Sequence, residues 1–470
     1  MTKNVLDDAS RAHTHSMQYV STRGGVQPVS FEHALLEGQA EDGGLYLPER
    51  YPQLTDRWES FKKLSFSELA YEIVSLYATD VDSATLRAIL DEAFATFDDE
   101  DVVPLVKIDD FHVLELFHGP TLAFKDVALQ VLGRLFEHTL RKRDQVLNIL
   151  GATSGDTGSA AIAGVQGRRG IGIFIMFPDG RTSRLQELQM TTVREKNVHC
   201  LAIDGSFDDC QRILKSIFND IEFKRSASLG AVNSINWARI MVQIVYYVYA
   251  TLRYNEPVTF SVPTGNFGNI LSAILAMQMG APIRRLILGT NENDILARFF
   301  VSGEYKRGAV QQTLSPSMDI QVASNLERFI YLYLDGDSER LVRFIQEFAE
   351  NSHATLHRNG NVDTTIDARR VDTNETLKTI RETWERFGYL VDPHTAVGVA
   401  AAAHARSEGP VVCLATAHPA KFPNAVDQAI GKPLANHPRL DALHEKHARK
   451  VKLPAQQEKV RNYLEANVIS

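Results

Sequence analysis

Lys125 is the residue best placed for covalent chemistry. It stands in HGPTLAFKDVALQ (118–130), flanked by Leu122, Ala123, Phe124 and Val127. Apolar surroundings strip an amine of hydration and lower its pKa. The neutral amine then has the lone pair that Schiff-base formation needs. The same spacing also suits a lysine that snorkels from a helix start. A second feature is TGNFGN (264–269). Gly265 and Gly268 can let the backbone approach a ligand or take φ > 0. The N–H groups of a following helix start would suit a phosphate; a tight turn without ligand is the other reading. In GATSGDTG (151–158), Thr153, Ser154 and Thr157 supply hydroxyls at another strand-to-helix loop. Such a loop could hold a carboxylate, or be a capping region with Ser154 or Asp156 as N-cap. Asp156 beside a bound anion would have to face away or pair with a cation. In CLATAHPAKF (413–422), Thr416 lies at a strand end, where a hydroxyl could meet a ring nitrogen. Lys421 could hold a phosphate as a point charge, or be a surface-loop lysine.

The elements that must position these residues share one texture. VLNIL (146–150), IGIFIMF (171–177), VTFSVP (258–263), RLILGTN (285–291) and VVCLA (411–415) are short apolar runs. Each runs into a loop rich in small or polar residues, most of them followed by a helical pattern. Strands alternating with helices imply a parallel sheet with crossovers, whose ligands sit beyond the carboxyl ends of the strands. The loops above should therefore meet in one crevice. FSELAYEIVSLYA (66–78) spaces its apolar residues as a one-faced helix. Residues 320–395 are more polar and helical and suggest an insertion or small domain. No GxGxxG or Gly-Lys-Ser/Thr follows any strand, so a nucleotide-dependent dehydrogenase is poorly supported.

Composition sets the outer limits. A chain of 470 residues divides into roughly three units at about 150 residues each. With 44% hydrophobic and 23% charged residues it has the balance of a globular enzyme. A net charge of −8 argues against a broad nucleic-acid-binding surface. Three scattered cysteines form no disulfide framework or zinc spacing, which points to a reducing cytoplasm. The mainly apolar run from Ile240 to Leu252 is 13 residues long, short of the ~20 a membrane span needs. Residues 1–16, with His13 and His15, read as a polar leader, and no metal is expected. The expected layout is an N-terminal domain over 17–104, a catalytic region over 105–434 and a tail helix over 435–470.

HGPTLAFKD, ATSGDTG, NSINWAR (233–239), VPTGNFGN, SPSMDI (315–320) and TAHPAKF occur in this order. Together with YVSTRGG and the segment up to LYLPE (19–49), they resemble the long-form, bacterial and fungal threonine synthase family. The match runs from about Met17 to about Lys432. The resemblance implies an α/β fold-type II pyridoxal 5′-phosphate (PLP) enzyme, tryptophan synthase β-like, with two open α/β domains and a small N-terminal domain. It implies that Lys125 carries PLP as a Schiff base. Gly265, Asn266, Phe267, Gly268 and Asn269 would cradle the cofactor phosphate, and Thr416 would meet the pyridine nitrogen. Thr153, Ser154, Gly155, Asp156 and Thr157 would match the loop that receives the substrate carboxylate. Arg239 and Lys421, with Arg184 a lesser candidate, would serve the substrate phosphate. The implied substrate is a small molecule, O-phospho-L-homoserine, turned with water into L-threonine and phosphate. The alternatives are a phospho-lyase releasing 2-oxobutyrate and a non-catalytic ligand-binding relative. No nucleic-acid or membrane partner is implied, and a monomer or homodimer is expected. Closure over the site is expected from parts of the N-terminal domain and of 320–395.

Overall fold

The computed structural model describes residues 16–153, 155–356, 361–405 and 408–470. Residues 1–15 and Ser154 lie outside the described residues, and with them most of the expected leader and one expected substrate contact. Two open sheets dominate. The larger has six strands in the order Ile366–Arg370, Ile283–Thr290, Val258–Pro263, Val411–Ala415, Phe111–Glu115 and Leu105–Ile108. All neighbours are parallel except the last pair, an antiparallel hairpin. The smaller has five parallel strands in the order Val451–Pro454, Val198–Asp204, Ile171–Pro178, Leu147–Ala152 and Leu229–Gly230. The strands Ile171–Pro178 and Val258–Pro263 are buried along their whole length. That is why they read as unbroken apolar runs: helices cover both faces of a parallel sheet.

Two parts of the chain depart from the sequence reading. Residues 320–395 are not a separate domain. Ile366–Arg370 joins the six-stranded sheet, and Arg328 is fully buried, donating to the carbonyls of Tyr46 and Ile235. That bond set ties 320–350 to the N-terminal domain. Both share the large core with the helix Trp237–Thr251. The tail is more than a surface helix. Val451–Pro454 becomes an edge strand, and Gln457–Asn467 packs Val460 and Leu464 onto the outer face of the five-stranded sheet with Phe174, Ile213 and Ile217. The smaller domain therefore comes from 147–230 and the chain's end.

The two sheets meet through the helices Lys125–Arg143 and Asp156–Val165. Gly133 and Gly164 let the backbones touch. A Cβ on Gly133 would overlap the Gly164 carbonyl, and one on Gly164 would lie 2.5 Å from the Leu129 carbonyl oxygen. Neither obstacle is a side chain that can swing away. Gly133→Ala should therefore destabilise the protein by about 3 kcal/mol or more. A thermal melt that moves by less than a degree would show that the helices are not in backbone contact.

Candidate active site

The carboxyl ends of the strands open onto one cavity of about 2890 Å³ between the sheets, lined by Lys125, Asp156, Arg239, Thr264 to Asn269 and Thr416 among others. Lys125 begins its helix and is 8% exposed. Its position is fixed by a short backbone ladder. Phe124 N–H donates to Thr416 O (2.9 Å), His418 N–H donates to Leu122 O (3.0 Å), and Ala123 bridges Ala417. The ladder registers Lys125 against Thr416. Leu122 sits at φ +59, a costly conformation for a branched residue. Asp126 braces the turn by accepting from Thr121 N–H and Oγ1–H, both at 2.8 Å. Burial pushes the Asp126 carboxyl up to about 6.

Among the described residues, the Lys125 amine makes no hydrogen bond; its Nζ lies 4.8 Å from the Phe124 ring centre. Burial lowers its pKa, and the charges of Arg239 and Lys421 lower it further, against Asp156 and Asp126. This is the desolvated amine expected from the sequence.

The loop 264–269 differs in detail from that expectation. Neither Gly265 nor Gly268 takes positive φ; Phe267 does, at +64. Its ring holds the strained turn by stacking on Phe300 (5.6 Å) and contacting Phe329. Gly265 is needed for close approach instead: a Cβ there would lie 2.6 Å from Ser317 O. Ser317 is fixed by His394. The Nδ1 of His394 meets Asp392 (2.7 Å), and Nε2 accepts the Ser317 N–H (3.2 Å). Asn269 turns its carbonyl to the hydroxyls of Tyr246 and Tyr247, which leaves the buried Nδ2 without a partner.

Arg239 is 4% exposed, and its Nε and Nη1 also have no partner. Burial lowers its pKa to about 10, so it keeps its charge at neutral pH. Unpaired buried donors of this kind are costly unless an anion receives them. With the desolvated amine, these two orphaned donor groups fit a bound aldehyde that carries a phosphate.

Other expected residues have different partners. Thr153 Oγ1 accepts from Gly155 N–H and Gly158 N–H and donates to Gly155 O, so it braces the loop at the cavity wall. Lys421 is completely buried. Its ammonium donates to Thr121 O (2.6 Å) and Gln189 Oε1 (2.8 Å) and pairs with Asp156 Oδ1 (3.1 Å). All three donors are occupied, which corrects its assignment to the substrate phosphate. Asp156 also accepts from Gln186 Nε2 (3.1 Å). Burial works to raise the Asp156 pKa, but Lys421 and Lys125 outweigh it and hold the carboxyl well below the usual range. Arg184 is exposed and pairs with Glu187, away from the cavity lining. Gln186, Gln189, His394, Tyr246 and Tyr247 were not predicted. DPHT (392–395) is a visible helix-start signal, but nothing in the sequence joins it to Ser317.

Comparison with known proteins agrees with this geometry. Residues 18–94 match the family model "Threonine synthase N terminus", 102–357 match "Pyridoxal-phosphate dependent enzyme", and 395–464 match "Threonine synthase, C-terminal". The likeness thus extends past Lys432 into the tail. The threonine synthase of Schizosaccharomyces pombe is 44% identical, across 88% of this chain and 89% of its own. That of Pseudomonas aeruginosa is 44% identical, across 95% and 98%. The crystal structure of PLP-bound threonine synthase from Brucella melitensis superposes with a TM-score of 0.94 at 43% identity, over 97% of this chain and all of that one. Fold and site together define a pyridoxal-phosphate-dependent enzyme of fold type II. Within that class, the chain belongs to the threonine synthase family.

The Asn269 amide is tested by removing what orients it. Tyr246→Phe/Tyr247→Phe releases the amide to rotate, and Asn269→Ala deletes it. Each should weaken PLP binding by about tenfold, the value of one charge-assisted hydrogen bond. Absorbance titration with PLP reads this directly, and unchanged affinity in both variants would remove Asn269 from the phosphate site.

Proposed function

We propose that Lys125 is the proton-transferring amine in the conversion of O-phospho-L-homoserine and water to L-threonine and phosphate. What supports this most is one cavity that joins a desolvated lysine amine, without a hydrogen bond among the described residues, to separate anion-receiving corners. Residues 265–269 would hold the cofactor phosphate, and Thr416 would hold the ring nitrogen through a neutral hydroxyl. Bound to Lys125, PLP would supply an electron sink that acidifies the carbon positions next to the substrate nitrogen.

The chain's own work is binding and proton transfer. Asp156 and Thr157 open a helix, so their N–H groups lack intrahelical acceptors. With Gly155 and the Thr157 hydroxyl, they would receive the substrate carboxylate. Asp156 does not repel it, because its carboxylate is turned to Lys421. Arg239 would take the substrate phosphate. As a neutral base, Lys125 Nζ would remove the proton from Cα, pass it on to the bound cofactor and, neutral again, remove one from Cβ as phosphate leaves Cγ. After water adds at Cβ, the same amine would return protons to the product. Early water entry must be prevented, and the cavity is far larger than the ~300–1,000 Å³ of most small-molecule sites. Three free, buried cysteines favour the cytoplasm.

Incubation with O-phospho-L-homoserine should release threonine and phosphate in equal amounts. Accumulation of 2-oxobutyrate in place of threonine would make the enzyme a phospho-lyase. Arg239→Ala should lower kcat/KM by about 10- to 100-fold, mostly through KM, with PLP affinity kept. Lost PLP affinity with unchanged KM would move Arg239 to the cofactor phosphate.

A further inference from the structure

Two lysine amines lie near one buried carboxylate, and the structure gives it to only one of them. Asp156 Oδ1 pairs with Lys421 at 3.1 Å. The Thr121 carbonyl and the Gln189 amide oxygen hold the same ammonium from other sides. Gln186 Nε2 meets Asp156 as well, and Gln186 occupies the space a Cβ on Gly155 would need. The arrangement crosses the domain junction. Asp156, Gln186 and Gln189 belong to elements on the five-stranded sheet, while Thr121 and Lys421 follow strands of the six-stranded one. Among the described residues Lys125 has no such partner, although its charge acts on Asp156.

We infer that Lys421 is a positioning residue that occupies Asp156 and thereby leaves the Lys125 amine free to bond the cofactor aldehyde. The inference rests on the reading of Lys125 as the cofactor lysine. In that bond the Nζ lone pair attacks the aldehyde carbon, a C=N bond forms and water leaves. An ammonium ion has no lone pair for the attack. Without Lys421, Asp156 would keep Gln186 Nε2 and the Ser317 hydroxyl (3.5 Å), with His394 nearby, but would lose its paired cation, which is strongly unfavourable for a buried anion. Lys125 is the cation at hand to relieve it, and would do so by keeping its proton. Lys421 and Asp156 together carry no net charge, so the Lys125 environment receives a fixed dipole and not an anion. It follows that the loss of Lys421 should be harmful only while Asp156 is present.

The test compares purified wild type, Lys421→Met, Asp156→Asn and the double variant. PLP is titrated by visible absorbance at one pH, and the covalent fraction is fixed with borohydride. Lys421→Met should bind covalently about tenfold more weakly or worse, since each unit added to an amine's pKa removes a factor of ten in neutral amine. Asp156→Asn should stay within about threefold of wild type, because it removes the competing anion. The double variant should return to within about threefold as well. A double variant as weak as Lys421→Met alone would overturn the inference. So would a Lys421→Met protein with normal PLP binding, including one whose only defect is a raised KM for the phosphorylated substrate. If Lys421→Met is insoluble, the double variant should recover soluble, PLP-loaded protein, and its failure to do so also overturns the inference. Wild type that takes up no PLP on Lys125 would overturn the Lys125 assignment itself, an outcome visible before any variant is compared.

Discussion

An amine that must stay uncharged is placed among buried charges, and much of the site is arranged around that constraint. Asp126, Asp156, Arg239 and Lys421 all lie near Lys125, and all are buried. Their signs nearly cancel, so electrostatics alone would not decide the state of Lys125. Hydrogen bonding settles how the neighbours are used. Lys421 and Asp156 are joined, and Asp126 is turned into the Thr121 loop. Arg239 keeps an unpaired guanidinium facing a cavity. Burial is left as the largest influence on Lys125, and burial favours the neutral amine.

That arrangement tolerates little backbone movement. Lys125 is registered to Thr416 by main-chain hydrogen bonds, which no side-chain rotation can undo. Gly133 and Gly164 then fix the Lys125 helix against the helix that begins at Asp156. The same helix pair thus carries the amine and the carboxylate from which it must be kept apart. Strain appears where the site demands it, at Leu122 before Lys125 and at Phe267 in the glycine loop. Ring packing on Phe300 and Phe329 overcomes the second cost, while the Gly119 and His418 backbone bonds overcome the first.

Much of this could be read from the sequence, for identifiable reasons. Fully buried parallel strands leave uninterrupted apolar runs, so Val258–Pro263 and Ile171–Pro178 were legible nearly to the residue. Apolar flanks at a helix start suit a snorkelling lysine as well as a desolvated one, so Lys125 was singled out by the resemblance of its whole motif and not by its spacing. Contacts between distant segments leave no such trace. Lys421 looked like a free cation because Thr121 and Asp156 lie hundreds of residues earlier in the chain. Gly265 and Gly268 suggested positive φ because glycine permits it, yet the turn was bent at Phe267 and Gly265 served Ser317. The tail's polar pattern hid an edge strand, since Val451–Pro454 has only intermediate or exposed positions.

The width of the cleft bears on how water is kept out. A cavity of about 2890 Å³ cannot exclude solvent as it stands. Arg328 ties the N-terminal domain and the 320–350 region together on one side of it. The five-stranded sheet stands across the opening, one face in the shared core and the other packed against the chain's end. It meets the other side at the Gly133–Gly164 backbone contact and at the Asp156–Lys421 pair. Ile221 on one rim and Val310 and Val322 on the other line the cavity and are among the few large apolar residues left exposed.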